Sequence, residues 1–214
     1  MINACVVSNG IEGIENMFRS NQRVSYTLLP IGPQFNPDFS PFDLLIVPNG
    51  TDNIAMFNIK HLVAEFLNAG KMMFCFDGWF TDWVPGNTWI MDNAHKTIDI
   101  RYRIVQDRYK LFEGIDLHQF IFSNGISGWW ACGHIQAAPG ADIILEDTWQ
   151  QPIMVLDEVS TNGTMLLTAS GPMADMLFGT NDDGQDSWQE VGRFYQKLIS
   201  WAETKIHQPK TIDI

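Results

Sequence analysis

The sequence predicts an α/β fold, a doubly wound and mostly parallel sheet with an added, partly antiparallel strand region. Two runs carry the first half of that expectation. "DLLIVPNG" at 43–50 and "KMMFCF" at 71–76 are nearly continuous in apolar residues and are closed by turn residues. A strand with apolar side chains at every position is covered on both faces, as in a parallel sheet sandwiched between helices. Between the two runs, Ile59, Leu62, Val63, Phe66 and Leu67 recur at helical spacing. The second strand is therefore reached by a helical crossover, which is right-handed when the strands are parallel. After residue 97 the pattern changes to short strands joined by turns, the mark of antiparallel pairing at a sheet edge.

The elements follow in order. Residues 2–7 are apolar and end in Ser8-Asn9-Gly10, a strand and its turn. Ile11, Ile14, Met17 and Phe18 have the spacing of a first helix. Residues 24–31 alternate and then reach Gly32-Pro33, a second strand, and 37–41 are loop. Residues 43–50 form the third strand. Thr51 or Asp52 has the side chain to cap the next helix, and Gly70 stands where that helix stops. Residues 71–76 are the fourth strand, completing β-α-β-β-α-β. Residues 97–105, 133–138, 141–146 and 152–158 read as further strands, and 164–170 return to the buried pattern. Ser187 and Glu190 have capping-box spacing, ahead of a helix with Val191, Phe194, Tyr195, Leu198 and Trp201 on one face. Beyond Ile206 the chain is expected to fray. The whole of 1–214 is expected to be one domain, with about 97–160 an elaborated middle segment.

Hydrophobic residues make up 45% of the 214 and charged residues 18%, enough apolar material for a core of two or three layers. Thirteen basic against 25 acidic side chains leave a net charge of −12. Such a surface repels phosphate backbones and anionic headgroups, which argues against nucleic-acid and membrane partners. No apolar run approaches the roughly 20 residues of a membrane span. Cys5, Cys75 and Cys132 stand in apolar surroundings with no pairing pattern, pointing to a reducing cytoplasm. The opening "MINACVVSNG" lacks the basic start and long apolar segment of a signal peptide and reads as the first strand.

In open α/β sheets ligands bind beyond the carboxyl ends of the parallel strands. Here those ends are Ser8-Asn9-Gly10, 49–52, 77–79 and Ser170-Gly171-Pro172, with Glu12 and Glu15 just past the first. Glu12, Asn49, Gly50, Asp77, Gly78 and Trp79 are therefore the candidate ligand-binding residues, with Trp79 at the mouth. Cys75, Asp77 and Glu12 are the candidate catalytic groups. Each has a plainer role beside the chemical one. Gly10, Gly50 and Gly78 suit turns, Glu12 and Glu15 suit the first turn of a helix, Asp77 suits a cap, and Cys75 suits a small buried apolar position.

Several phrases, in their order, resemble the class I glutamine amidotransferase-like superfamily, in particular its ThuA-like and uncharacterised branches. "FDLLIVPNGTDN" at 42–53 looks like that superfamily's strand and Pro-Gly-Gly turn, with Asn49 for the first glycine. "AGKMMFCFDGWF" at 69–80 looks like its strand and nucleophile elbow. "YKLFEGID" at 109–116 is similar to its "HPLFEGID" phrase, with Tyr109-Lys110 for His-Pro. "GTMLLTAS" at 163–170, followed by "DSWQEVGRFYQKLISWA", looks like its closing strand and helix. The resemblance spans nearly the whole chain and implies a flavodoxin-like sheet.

The resemblance also implies where chemistry would sit. The elbow pattern Gly-x-Cys-x-Gly, counted back from Gly78, puts Phe76 at the nucleophile position and Cys75 one residue early. A one-residue slip along a strand turns a side chain to the opposite face. The activating histidine should fall within 169–183, where "ASGPMADMLFGTNDD" has none. Glutaminase chemistry, which needs a thiol and its base together, is therefore not expected. The Parkinson-associated chaperone and deglycase branch uses a glutamate after the first strand, a position that Glu12 or Glu15 would match.

Other chemistry finds little support. Cys132 and His134 share a strand face but lack a third ligand, so no metal is expected. "TNDDGQD" at 180–186 lacks the acidic spacing of a calcium loop, and "SNGIEGIE" lacks both a dinucleotide fingerprint and a P-loop lysine. No cofactor is expected. Trp79, Trp83 and Trp89 follow the elbow, and Trp129-Trp130 form a pair; such rings stack on sugars, pack cores or line a homodimer interface. The expectation is a cytoplasmic protein without glutaminase activity that binds a small polar or carbohydrate ligand at the strand ends. The alternatives are a hydrolase using Cys75 and an interaction module that dimerises through its Trp-rich loops.

Overall fold

A computed structural model of the chain describes residues 1–11, 17–121, 131–171 and 185–207. Five parallel strands form most of one sheet: β1 (Ile2–Ser8), β2 (Val24–Pro30), β3 (Leu44–Val47), β4 (Met72–Cys75) and β10 (Thr164–Thr168). Antiparallel strands β9 (Pro152–Asp157), β8 (Asp142–Glu146) and β6 (Arg103–Ile104) extend it on one side. The spatial order is β2-β1-β3-β4-β10-β9-β8-β6. The expected flavodoxin-like, mostly parallel sheet with an antiparallel extension is what the chain forms.

The burial of the strands explains the order. Every residue of β3, β4 and β10 is buried, so these three take the centre. β2 is only partly buried and takes an edge. The α-helices whose bounds are described are α1 (Asn53–Asn58), α2 (Lys60–Asn68), the short α3 (Leu117–Ile121) and the long α4 (Gln185–His207). On α4 the predicted apolar face is real: Val191, Phe194, Tyr195, Leu198 and Trp201 are all buried. Trp201 stacks on Phe74 of β4 with ring centres 6.0 Å apart, so α4 lies across the sheet centre. Charged groups pin it: the Arg23 guanidinium binds both Glu203 oxygens beside β2, and Lys205 Nζ lies 2.6 Å from Glu158 past the end of β9. Among the described residues no helix is long and apolar enough to cross a membrane.

Five local expectations need correction. Residues 97–105 are a 3-10 turn at Thr97–Asp99 and the two-residue β6, not one strand. The Arg101 side chain donates to the carbonyls of Ile98 and Ile100, and its own N–H goes to Thr148 Oγ1, so the backbone there is occupied by side chains rather than a ladder. A strand that the alternation does not reveal, β5 (Thr88–Met91), pairs with β7 (Gly133–Gln136) as a separate antiparallel ribbon, so β7 does not extend the main sheet. Only Trp89 of β5 points inward, which leaves four residues with no readable period. The helix expected between the Thr51-Asp52 cap and Gly70 is two helices that meet at Ile59. The middle segment also carries a helix, α3, where only strands and turns are expected. Ser187 does not mark the start of the closing helix: α4 begins at Gln185, and the Glu190 carboxylate accepts from the Asp116 N–H and pairs with Arg193.

Candidate functional site

The carboxyl ends of β1, β3 and β4 are joined by one polar network. β3 and β4 run in register with Val47 beside Cys75, and the Phe76 N–H donates to the Val47 carbonyl at 2.8 Å, which carries the pairing to the elbow. After β3 the chain turns at Gly50, whose φ of +81° lies in the left-handed region that suits glycine. Thr51 Oγ1 donates to the Pro48 carbonyl at 2.7 Å and closes that turn. Asp52 is the cap, since its Oδ1 accepts from the N–H groups of Ile54 and Ala55.

Asp77 ties this turn to the next. Its Oδ1 accepts from the Gly50 N–H at 3.0 Å, and its Oδ2 accepts from the Asn53 amide at 3.2 Å. Asn53 then reaches further: its Oδ1 accepts from the Phe80 N–H and from Trp83 Nε1, both at 3.1 Å. Asn9, at the end of β1, donates to the Gly50 carbonyl at 2.7 Å. Asn53 is the hub of the network and is not among the residues that the sequence singles out. The available signal is an asparagine in the first turn of a helix, where a better helix former would serve if helix formation were its only task.

Asp77 is 4% exposed. Burial pushes its carboxyl up to about 6, partly offset by hydrogen bonds from Gly50, Asn53, Gly78 and Thr51. A carboxyl raised in the folded state binds its proton more tightly there than in the unfolded chain. Its stabilising contribution is therefore greatest below the unfolded value near 3.8 and is lost as pH rises through about 6. Relative to Asp77→Asn, the wild type is expected to lose on the order of 3 kcal/mol between pH 4 and 7. Urea unfolding of both proteins across that range measures it, and parallel curves would remove the assignment.

The other candidates separate into buried and accessible groups. Cys75 has no exposure, and its thiol meets only the Asp77 carbonyl, at 3.8 Å, among the described residues. Burial, with the Asp77 charge nearby, pushes that thiol far above its ordinary range. The thiolate that a hydrolase would need is thus disfavoured at Cys75. Phe76 is equally buried. Trp79 does not stand at a pocket mouth: it is 2% exposed, and its Nε1 meets no hydrogen-bond partner among the described residues. Trp83 and Trp89 are buried as well, so these three rings pack the protein's own core rather than offering a platform to a sugar or a partner. The indole of Trp89 lies against Gly78 and explains that glycine, because a Cβ there would stand 2.8 Å from the ring. The accessible aromatic is the neighbouring Phe80, which is 64% exposed. Asn49 is half-buried, and Gly50 is exposed.

Glu12, Glu15, Trp129, Trp130 and residues 180–184 of the 180–186 segment lie outside the described residues. Cys132 is exposed rather than set in apolar surroundings. Among the described residues no group of three His, Cys, Asp or Glu side chains could hold a metal ion.

No family model and no curated protein matches the chain. Solved structures do. A glutamine amidotransferase from Thermotoga maritima aligns over 97% of this chain and 99% of its own, with a TM-score of 0.63 at 11% identity. A cytoplasmic protein from Salmonella typhimurium LT2 aligns over 94% of this chain and 99% of its own, with a TM-score of 0.58 at 9% identity. At such identities the likeness is one of fold, and the fold of this chain is that of the glutamine amidotransferase-like proteins.

Proposed function

We propose that this chain is a single-domain binding protein on a glutamine amidotransferase-like fold, without glutaminase chemistry. Its ligand is a small polar molecule, with carbohydrates the first class to test, held at the carboxyl ends of β1, β3 and β4. The observation that carries the reading is the division at the elbow. The groups that would react are sequestered, with Cys75 inside the sheet and Asp77 spent on Gly50 and Asn53. The groups around them remain accessible: half-buried Asn9 and Asn49, the exposed Gly50 turn and the exposed Phe80 ring. A flat apolar ring beside amide donors and acceptors suits the mixed faces of a sugar. Phe80 takes the part that the sequence assigns to Trp79.

Calorimetry against a panel of mono- and disaccharides, together with an ammonia assay with glutamine, tests both halves. Binding heat with at least one sugar is expected, weakened about tenfold or more in Phe80→Ala, with ammonia release at background. No heat across the panel would end the carbohydrate reading. Ammonia release that Cys75→Ala abolishes would end the claim that glutaminase chemistry is missing.

A further inference from the structure

A cavity of about 260 Å³ opens near the amino ends of β3 and β4, the opposite end of these parallel strands from the elbow. Lys71, on its wall, stands immediately before β4, and Asp43, the ion-pair partner of Lys71, immediately before β3. Leu62, Glu65, Phe66 and Ala69 follow the i, i+3, i+4, i+7 spacing of one helix face, so α2 and its C-cap supply one side. The 37–40 loop supplies the other. Two contacts hold that loop in place. The Ser40 N–H donates to Asp38 Oδ1 at 2.9 Å, and the Phe39 ring meets Phe66 edge to face with centres 5.8 Å apart. Both phenylalanines are buried, which gives the cavity a firm apolar floor. The rim is charged unevenly. Lys71 Nζ lies 3.4 Å from Asp43 Oδ1, and the two charges of that pair offset each other. Asp38 and Glu65 are exposed and join no ion pair among the described residues.

We propose that this cavity is a second ligand site, separate from the strand ends, for a small cation with an apolar body: a primary amine carrying one aromatic ring. The ligand ring packs against Leu62, Phe39 and Phe66, where loss of apolar surface from water and ring-edge contacts contribute most of the binding. The ammonium stays at the rim with Asp38 and Glu65. Their two uncompensated carboxylates favour a cation over an anion, and the net charge of −12 acts in the same sense. The volume limits the ligand to one ring and a short chain, because pockets for drug-sized ligands hold about 300–1,000 Å³.

Phenethylamine is the probe, with phenylpropionate as a similar body of opposite charge and methylammonium as the charge alone. Titration of the whole chain at pH 7 is followed by calorimetry and by the methyl NMR signals of Leu62 and Ala69. Saturable binding of phenethylamine with a Kd of about 1 mM or tighter is expected, roughly tenfold or more tighter than either comparison compound, with the largest shifts on those two residues. Glu65→Gln and Asp38→Asn, both at exposed positions, should each weaken binding about two- to fivefold, the range for one exposed charge, and added salt should weaken it further. Four results would each overturn the site: no saturation at ten times that concentration, equal binding of phenylpropionate, an affinity unchanged when both carboxylates are replaced, or shifts centred on Phe80 and the Gly50 turn.

Discussion

Replacing Asn53 with alanine is expected to destabilise the protein by roughly 3 kcal/mol at pH 7. Two buried groups lose their partners together. Trp83, 2% exposed, donates its Nε1 to Asn53 Oδ1, and Asp77, 4% exposed, receives the Asn53 amide. A buried donor or acceptor left unpaired costs about 1–3 kcal/mol, and more when the group is charged. The Phe80 N–H loses its acceptor as well, but it has water to turn to beside an exposed side chain. The loss should depend on pH. Below about 6 the Asp77 carboxyl takes up a proton and depends less on the amide, so the deficit of Asn53→Ala should shrink between pH 7 and 5. Urea midpoints at the two pH values, followed by tryptophan fluorescence, measure both effects. A loss below about 1 kcal/mol at pH 7 would show that Asn53 is not the hub.

Gly133→Ala is expected to be at least as damaging, costing about 3 kcal/mol or preventing the ribbon from pairing. A Cβ at Gly133 would stand 2.3 Å from the Ile90 carbonyl and 2.8 Å from the Trp89 ring. The first contact is backbone on the partner strand, which moves only if β5 and β7 separate. Gly78→Ala meets the same indole from the elbow side, at 2.8 Å, and the three nearest atoms are all in the Trp89 side chain. The two variants should therefore differ in their rescue. Trp89→Leu, which shortens the obstructing side chain, should recover most of the loss in Gly78→Ala and little of it in Gly133→Ala. Thermal denaturation of the two double mutants against their parents makes the comparison, and equal recovery in both would show that Trp89, not the Ile90 carbonyl, sets the cost.

The accessible and buried members of the candidate site were hard to separate because the readable signals are local. Asp77, Gly78 and Trp79 sit at a strand end, and rules about strand ends place a ligand there. Those rules do not say that the neighbouring ribbon presses Trp89 onto Gly78 or that Trp79 packs inward, leaving Phe80 outside. Asn53 carries no local signal of its role, because its side-chain partners Asp77 and Trp83 lie 24 and 30 residues away.

By itself the sequence determined the alternation of central strands with helices, the central place of 44–47, 72–75 and 164–168, and the apolar face of the closing helix. Those features rest on the covering of an element by its surroundings, and that covering imposes a period on the chain that any reader can count. Tertiary structure decided which thiol is exposed, which tryptophans are core and which carboxylate is held near neutrality. Each of these depends on what a second, distant segment brings to a residue. Burial of Cys75 requires β3 and β10 on either side of β4, and exposure of Cys132 requires a ribbon that stands apart from the sheet. Exposure and desolvation are properties of an assembled neighbourhood, and the order of residues along the chain carries them only where pairing is already implied.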